Sequence, residues 1–335
     1  MDWKSELKEC ISRLAPDKVV YLTDSNVARY LDMPEAIVVP AGEPSKSIAG
    51  LETVWQGLMR AGATRHSLLV NIGGGVVTDL GGFAAGTYKR GIRHINVPTT
   101  LLAMADAAIG GKTGIDYCGL KNEIGVFKMP ERVIIDATWL DTLPQELLRD
   151  GLAEVVKTTM LGSAAMYDVL LDLPERLDAD SLRDATEFSG RFKEKVVAED
   201  PTEQGLRRIL NLGHTAGHAF ESLAARCGHP VSHGEAVAHG LLVTLLLSSR
   251  FAGMDPTAVG AYATRLLRRH YSPLPAGALD EEELLELMAR DKKNARYGEV
   301  SFVLLRAIGQ PIREAVVIDK TSLCESLRQY RSIMS

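Results

Sequence analysis

Five short runs in the first 140 residues constrain the fold most. They are "KVVYLTD" (18–24), "AIVVPAG" (36–42), "LLVNIGGG" (68–75), "HINVPTT" (94–100) and "RVIIDAT" (132–138). Each is nearly continuous in Val, Ile and Leu, where a strand with one wet face would alternate apolar and polar residues. Continuous runs belong to strands covered by helices on both faces. Helical patterns over 46–62 and 76–88 lie between them, which predicts a parallel, Rossmann-like α/β domain with its ligand at the carboxyl strand ends. From "LPQELLRDGLAEVVKTTML" (143–161) the apolar period becomes 3.6 residues and predicts helices over 145–172, 181–199, 214–225, 234–252, 257–270 and 280–290. Later strand candidates are "EVSFVLL" (299–305) and "REAVVID" (313–319), a small hairpin around "GQP". The expected fold class is α/β plus α: a Rossmann-like parallel-sheet domain over 1–145 and a mainly α-helical domain over 146–335. A chain of 335 residues is long enough for two cores.

Charge and composition exclude several functions. A net charge of −5 argues against a nucleic-acid partner, which needs a basic surplus. No apolar run reaches the roughly 18–20 residues of a membrane span, and the start "MDWKSELKEC" lacks the apolar core of a signal peptide. Cys10, Cys118, Cys227 and Cys324 show no paired spacing. Reduced thiols and a cytoplasmic location are expected.

Four groups of residues could carry chemistry. In "NIGGGVVTDLGGFAAG" (71–86) three glycines end a strand and open a helix, so backbone N–H groups can meet a pyrophosphate. Thr78 stands where a third fingerprint glycine would be, and a tight turn without a ligand explains the glycines equally well. "IGGKTG" (109–114) is not a P-loop, because Asp106 replaces the first glycine of that pattern, yet Lys112 between glycines suits an anion. His214, His218, His229, His233 and His239 fall within 26 residues. Their density favours a metal, for which three N, S or O ligands and one open position would serve. His214 and His218 share a helix face. Spacing alone does not choose among the histidines or name a carboxylate; Glu154 is one candidate, while Cys227 and His229 read as structural loop residues. The cations Lys121, Lys157, Lys193, Arg207, Lys292 and Lys293 come from separate segments and form an anion site only if the fold gathers them.

Taken in order, seven stretches resemble the 3-dehydroquinate synthase family. They are "PAGEPSKS" (40–47), "GGGVVTDLGGFAAGTYKRGI" (73–92), "VPTTLLAMADAAIGGKTGID" (97–116), "LKNEIGVF" (120–127), "LPQELLRDGLAEVVK" (143–157), "GLRRILNLGHTAGHAFE" (205–221) and "HGEAVAHG" (233–240). The resemblance implies an NAD-binding first domain and a divalent metal, zinc or alternatively cobalt, held by Glu154, His214 and His233. His218 would then handle protons near the substrate and leave the metal to His214. Implied NAD contacts are Asp24, Glu43, Lys46, Gly74, Gly75, Val76, Asp79, Thr99, Thr100, Lys121 and Thr142. Implied substrate contacts are Arg90, Asp106, Lys112, Asn122, Lys157, Lys193, Arg207, Asn211, His218, Lys292 and Lys293, with Lys112, His218, Lys157 and Asp106 catalytic. Arg90 would reach the neighbouring active site, which implies a homodimer.

The implied substrate is a sugar phosphate, 3-deoxy-arabino-heptulosonate 7-phosphate. Hydride transfer to NAD, phosphate elimination, hydride return, ring opening and aldol closure would turn it into 3-dehydroquinate. Three features depart from the family: Ala107 and Ala108 where many members carry serines, "GIDYCGLKN" before the Lys-Asn pair, and a longer spacing from His214 to His233. Rival classes are a sister sugar-phosphate cyclase, a polyol dehydrogenase making net NADH, and a non-enzymatic NAD-binding regulator.

Overall fold

The computed structural model describes residues 2–290 and 299–335. It comprises two compact units, Met1–Leu143 with Ser189–Val197, and Pro144–Phe188 with Ala198–Ser335. The first unit contains α1 (Trp3–Leu14), β1 (Val19–Asp24), β2 (Ile37–Val39), α2 (Ile48–Arg60), β3 (Leu68–Gly73), α3 (Gly75–Thr87), β4 (Arg93–Pro98), β5 (Lys112–Tyr117), β6 (Leu120–Phe127) and β7 (Arg132–Val133). Five strands form one sheet in the order β2-β1-β3-β4-β7, every pair parallel. The expected Rossmann-like sheet is present. Every residue of the central β3 is buried, including Asn71, as its nearly continuous apolar run requires.

The second half of the glycine motif serves packing. A Cβ on Gly81 would stand 2.1 Å from the Asn71 side chain, and one on Gly82 2.3 Å from Thr113. These glycines let α3 lie close against β3 and β5. Thr78, in the third-glycine position, is buried and turns its hydroxyl back to donate to the Gly75 carbonyl at 3.1 Å.

One correction concerns residues 107–127. The sequence marks no strand around Lys112. Instead a π-helical turn, Ala103–Ala107, leads into an antiparallel hairpin of β5 and β6. No apolar run announces it, because Gly114 and Gly125 sit where the strands approach and all of β6 is exposed.

The second unit is mainly helical. It holds α4 (Gln145–Gly162), α5 (Ala164–Leu171), α6 (Ala179–Glu199), α7 (His214–Arg226), α8 (His233–Phe251), the short α9 (Pro256–Ala261) and α10 (Arg268–His270), and α11 (Glu281–Ala289). It closes with β8 (Val300–Phe302), β9 (Leu305–Ala307), β10 (Gln310–Pro311), β11 (Val316–Ile318) and α12 (Lys320–Met334). The later half of α6, Ser189–Val197, which the sequence places in the second domain, groups with the first unit. The pattern over 145–172 is two helices: Ser163 has extended backbone and caps α5 by accepting from the Met166 N–H. The strands near "GQP" form two antiparallel pairs, β9 with β10 and β8 with β11, in place of one hairpin.

Helices α7 and α8 touch main chain to main chain. A Cβ on Gly240 would lie 2.1 Å from the Gly213 carbonyl oxygen, and one on Gly217 3.1 Å from the Val237 Cα. Gly213, at φ +79, turns the chain into α7 immediately before His214. Asp150 on α4 fixes the start of α8 by accepting the Gly234 N–H at 2.7 Å, and Ser232 caps the same helix by accepting from Glu235.

Candidate functional site

Glu154 lies on α4 with no exposed surface, a costly place for a carboxylate unless cations surround it. Lys157, one turn on and equally buried, forms an ion pair with its Oε2. The Nε2 atoms of His214 and His233 each stand 3.5 Å from its Oε1. Two donors bound to one ion at ~2.1 Å with tetrahedral angles stand roughly 3.4 Å apart, so the separation is that of shared ligation. The other nitrogen of each ring is already committed. His214 Nδ1 lies 3.1 Å from the Leu212 carbonyl oxygen, and His233 Nδ1 3.2 Å from Glu221 Oε2. These contacts orient each ring so that its Nε2 faces Glu154. Burial lowers the pKa of His233, but Glu154 and Glu221 more than reverse this and push it up to about 10. Positive charge is strongly favoured at this position. The residues fit a divalent ion on three protein ligands.

His218 stacks edge-on against His214 with ring centroids 5.3 Å apart. It lies outside the set of Glu154, His214 and His233, whose donor atoms all fall within 4.8 Å of one another. Glu221 is the residue that sequence reasoning missed; its trace was its place in "HTAGHAFE", one turn beyond His218 on the helix that carries both histidines.

The other clustered histidines have different partners. His229 is exposed, and Cys227 donates its thiol to the Gly277 carbonyl. His239 is fully buried, with Nε2 at 3.0 Å from the Ser272 carbonyl oxygen and Nδ1 accepting from the Tyr330 hydroxyl at 2.8 Å. It latches α12 onto α8. Burial lowers its pKa to about 4, and that of His94 in β4 to about 3. Both groups are held neutral when folded and take a proton near pH 6.5 when unfolded. Their contribution to stability is therefore full above about pH 6.5 and falls as the pH drops towards 4, by up to ~1.4 kcal/mol per pH unit per histidine. Urea midpoints at pH 8, 6 and 4.5 test this. A flat profile would show that these rings are not buried neutral.

In the first unit the nucleotide candidates gather at the carboxyl ends of β3 and β4. Gly74 and Gly75 open α3, and no side chain caps its first-turn N–H groups. Thr99 donates its N–H to the Gly73 carbonyl. A Cβ on Gly74 would come within 3.0 Å of Thr100, and one on Gly75 within 3.3 Å of Ala107. Val76 follows, partly buried. A helix that opens on glycines in this way has the chemistry to hold a pyrophosphate. Lys46 pairs with Asp79 at 2.6 Å. Burial raises Asp79 to about 6 against the opposing pull of Lys46. Burial also raises Glu43, Lys46 opposes it, and Asp116 raises it further.

Lys193 reaches both Asp106 Oδ1 at 2.8 Å and its carbonyl at 2.6 Å. Lys112 opens β5, while Lys121 and Asn122 lie on exposed β6. Other predicted residues have local partners. Asp24 Oδ1 accepts the N–H groups of Asn26 and Val27, and Thr142 donates to the Trp139 carbonyl. Arg207, buried, donates to the Pro201 carbonyl, and Asn211 to Glu203. Arg90 takes a left-handed backbone at φ 69. Lys292 and Lys293 lie outside the described residues.

The parallel Rossmann-like sheet and the mainly helical unit are shared with the sugar-phosphate cyclases. Over 95% of this chain and 92% of its own, 2-epi-5-epi-valiolone synthase from Streptomyces hygroscopicus, with NAD+ and Zn2+ bound, superposes with a TM-score of 0.82 at 25% identity. A 2-deoxy-scyllo-inosose synthase shares the fold at TM-score 0.80 and 24% identity, over 97% of this chain and 94% of its own. Within that class the chain belongs to the 3-dehydroquinate synthase family and is an enzyme of that type: the family's N-terminal model matches residues 36–150 and its C-terminal model 151–294. The 3-dehydroquinate synthase of Parabacteroides distasonis is 41% identical over 98% of this chain and 96% of its own length. That of Thermococcus kodakarensis is 41% identical over 93% and 89%.

Proposed function

We propose that the chain converts 3-deoxy-arabino-heptulosonate 7-phosphate into 3-dehydroquinate and phosphate, using NAD+ catalytically and one divalent ion, preferably zinc. The Glu154, His214 and His233 arrangement carries the reading, and the NAD+ and Zn2+ of the valiolone synthase support it. When bound, NAD+ supplies a hydride acceptor that returns what it takes, and the ion a Lewis acid for the hydroxyl being oxidised. The residues Gly74, Gly75, Val76, Thr99 and Thr100 cradle the pyrophosphate, and Lys46, Asp79, Glu43, Lys121, Asp24 and Thr142 complete the nucleotide contacts. Lys157 offsets the charge of Glu154 and steadies the oxygen that loses its proton. His218, beside His214, moves protons at the substrate. The substrate carries a carboxylate and a phosphate, and an acidic chain must meet them with local cations: Lys112, Lys193 and Arg207, with Asn122, Asn211 and the Lys292–Lys293 pair. Asp106 holds the Lys193 ammonium in place. Fixing both ends of one molecule through several bond changes is orientation catalysis.

The active form in this reading is a homodimer in the cytoplasm, with Arg90 offered to the neighbouring subunit. Tyr117, Leu120, Phe127 and Met129 are each about half exposed on or beside the hairpin, an apolar edge that a second copy would cover. Val126 and Lys128 of that hairpin lie against Gly86 and Gly91, which flank Arg90.

The test is phosphate release from 3-deoxy-arabino-heptulosonate 7-phosphate with NAD+ far below substrate and zinc or cobalt present. Many phosphates per NAD+, abolished by a chelator, is the expected result. No release with both cofactors bound would overturn the substrate assignment.

A further inference from the structure

We propose that Asp116, which has no assigned role, is a positioning residue that ties the Lys121–Asn122 tip of the β5–β6 hairpin to the Glu43–Lys46 corner of the nucleotide site. Four observations carry this. Asp116 sits where the pairing of β5 with β6 loses register, between the pairs Ile115 with Ile124 and Tyr117 with Leu120. Such bulges re-aim side chains beside active sites. Its Oδ1 accepts the Asn122 N–H at 2.8 Å, across six residues. Asn122 is left-handed at φ 53, and Cys118 at φ 50 and Gly119 at φ 78 share that conformation within the same tip. A non-glycine residue there costs about 1–3 kcal/mol, so something must hold it. Finally, the Asp116 N–H donates to the Lys46 carbonyl at 2.9 Å, and its carboxylate lies near enough to Glu43 to raise that group's pKa.

One residue therefore meets both ligand sets, Lys46 through its main chain and Asn122 through its side chain, with Glu43 beside the same carboxylate. Without the carboxylate, the Asn122 backbone loses the acceptor that closes the tip, and Lys121 and Asn122 lose their fixed direction. What Asn122 needs from residue 116 is an oxygen acceptor, which asparagine also has.

The proposal rests on the functional reading above, so its test includes a measurement independent of turnover. Amide exchange across 117–123, the NAD+ Kd and the steady-state constants are compared in wild type, Asp116→Ala and Asp116→Asn, all with full metal content. In Asp116→Ala the Asn122 amide exchanges at least about ten-fold faster, and NAD+ Kd and substrate KM each rise about ten-fold. Zinc binding stays unchanged. Asp116→Asn restores protection and both constants to within about three-fold. Unaltered exchange in Asp116→Ala overturns the hydrogen-bond assignment whatever the substrate proves to be. Faster exchange with unaltered NAD+ Kd and KM overturns the positioning role, and an asparagine variant as impaired as alanine does the same. If wild type releases no phosphate from the proposed substrate, the functional reading fails, while exchange and NAD+ Kd still decide the role of Asp116.

Discussion

His214→Ala loses tight zinc binding and at least about 10³-fold in turnover. Three donors converge here, and His214 Nε2 is one of two nitrogens at 3.5 Å from Glu154 Oε1. Removing it leaves two protein ligands, which is too few for a site that must also keep a position open. The matching measurement is metal content after dialysis against a weak chelator, beside turnover at saturating zinc. His218→Ala in the same experiment retains its zinc and turns over more slowly. Glu221→Gln gives an intermediate result, a metal affinity weaker by about 10- to 100-fold, because it touches the metal only through the His233 ring. Full zinc content in His214→Ala would show that the ion sits elsewhere.

Glu154→Gln acts on stability as well as on chemistry. The variant leaves the 1% exposed Lys157 ammonium without its closest carboxylate, in a place where it can recover little hydration. Breaking a buried pair from one side costs about 3–5 kcal/mol. Urea unfolding with chelator present reads this loss apart from any effect of the ion. The double variant Glu154→Gln/Lys157→Met recovers most of the stability and none of the activity, since an apolar side chain carries no stranded charge. A single variant within about 1 kcal/mol of wild type would mean that the ammonium has other means of neutralisation.

The parallel sheet was legible because burial on both faces leaves a plain mark, the nearly continuous apolar runs of β1 and β3. The hairpin leaves no such mark. β6 is exposed along its whole length, and glycines at 114 and 125 weaken any strand pattern. The metal site shows the same division. Two histidines a helical turn apart draw attention to α7, but which ring binds depends on where α8 brings His233. The carboxylate comes from a helix 60 residues earlier, and periodicity does not encode that approach. Resemblance supplied Glu154 ahead of the geometry. Glu221 left one trace, its place a turn beyond His218, while nothing in the local sequence of Asp116 separates it from a solvated acid.

The close contact of α7 with α8 has a consequence for how the centre tolerates change. The gap between the two imidazoles is gauged by the main chain at Gly217 and Gly240, where the nearest facing atoms are backbone. A ruler made of backbone cannot be recalibrated by repacking neighbours. Bulk elsewhere along either helix can drift while the bite of the two nitrogens stays the same. A single methyl group at residue 240 has nowhere to go and would force the rings apart.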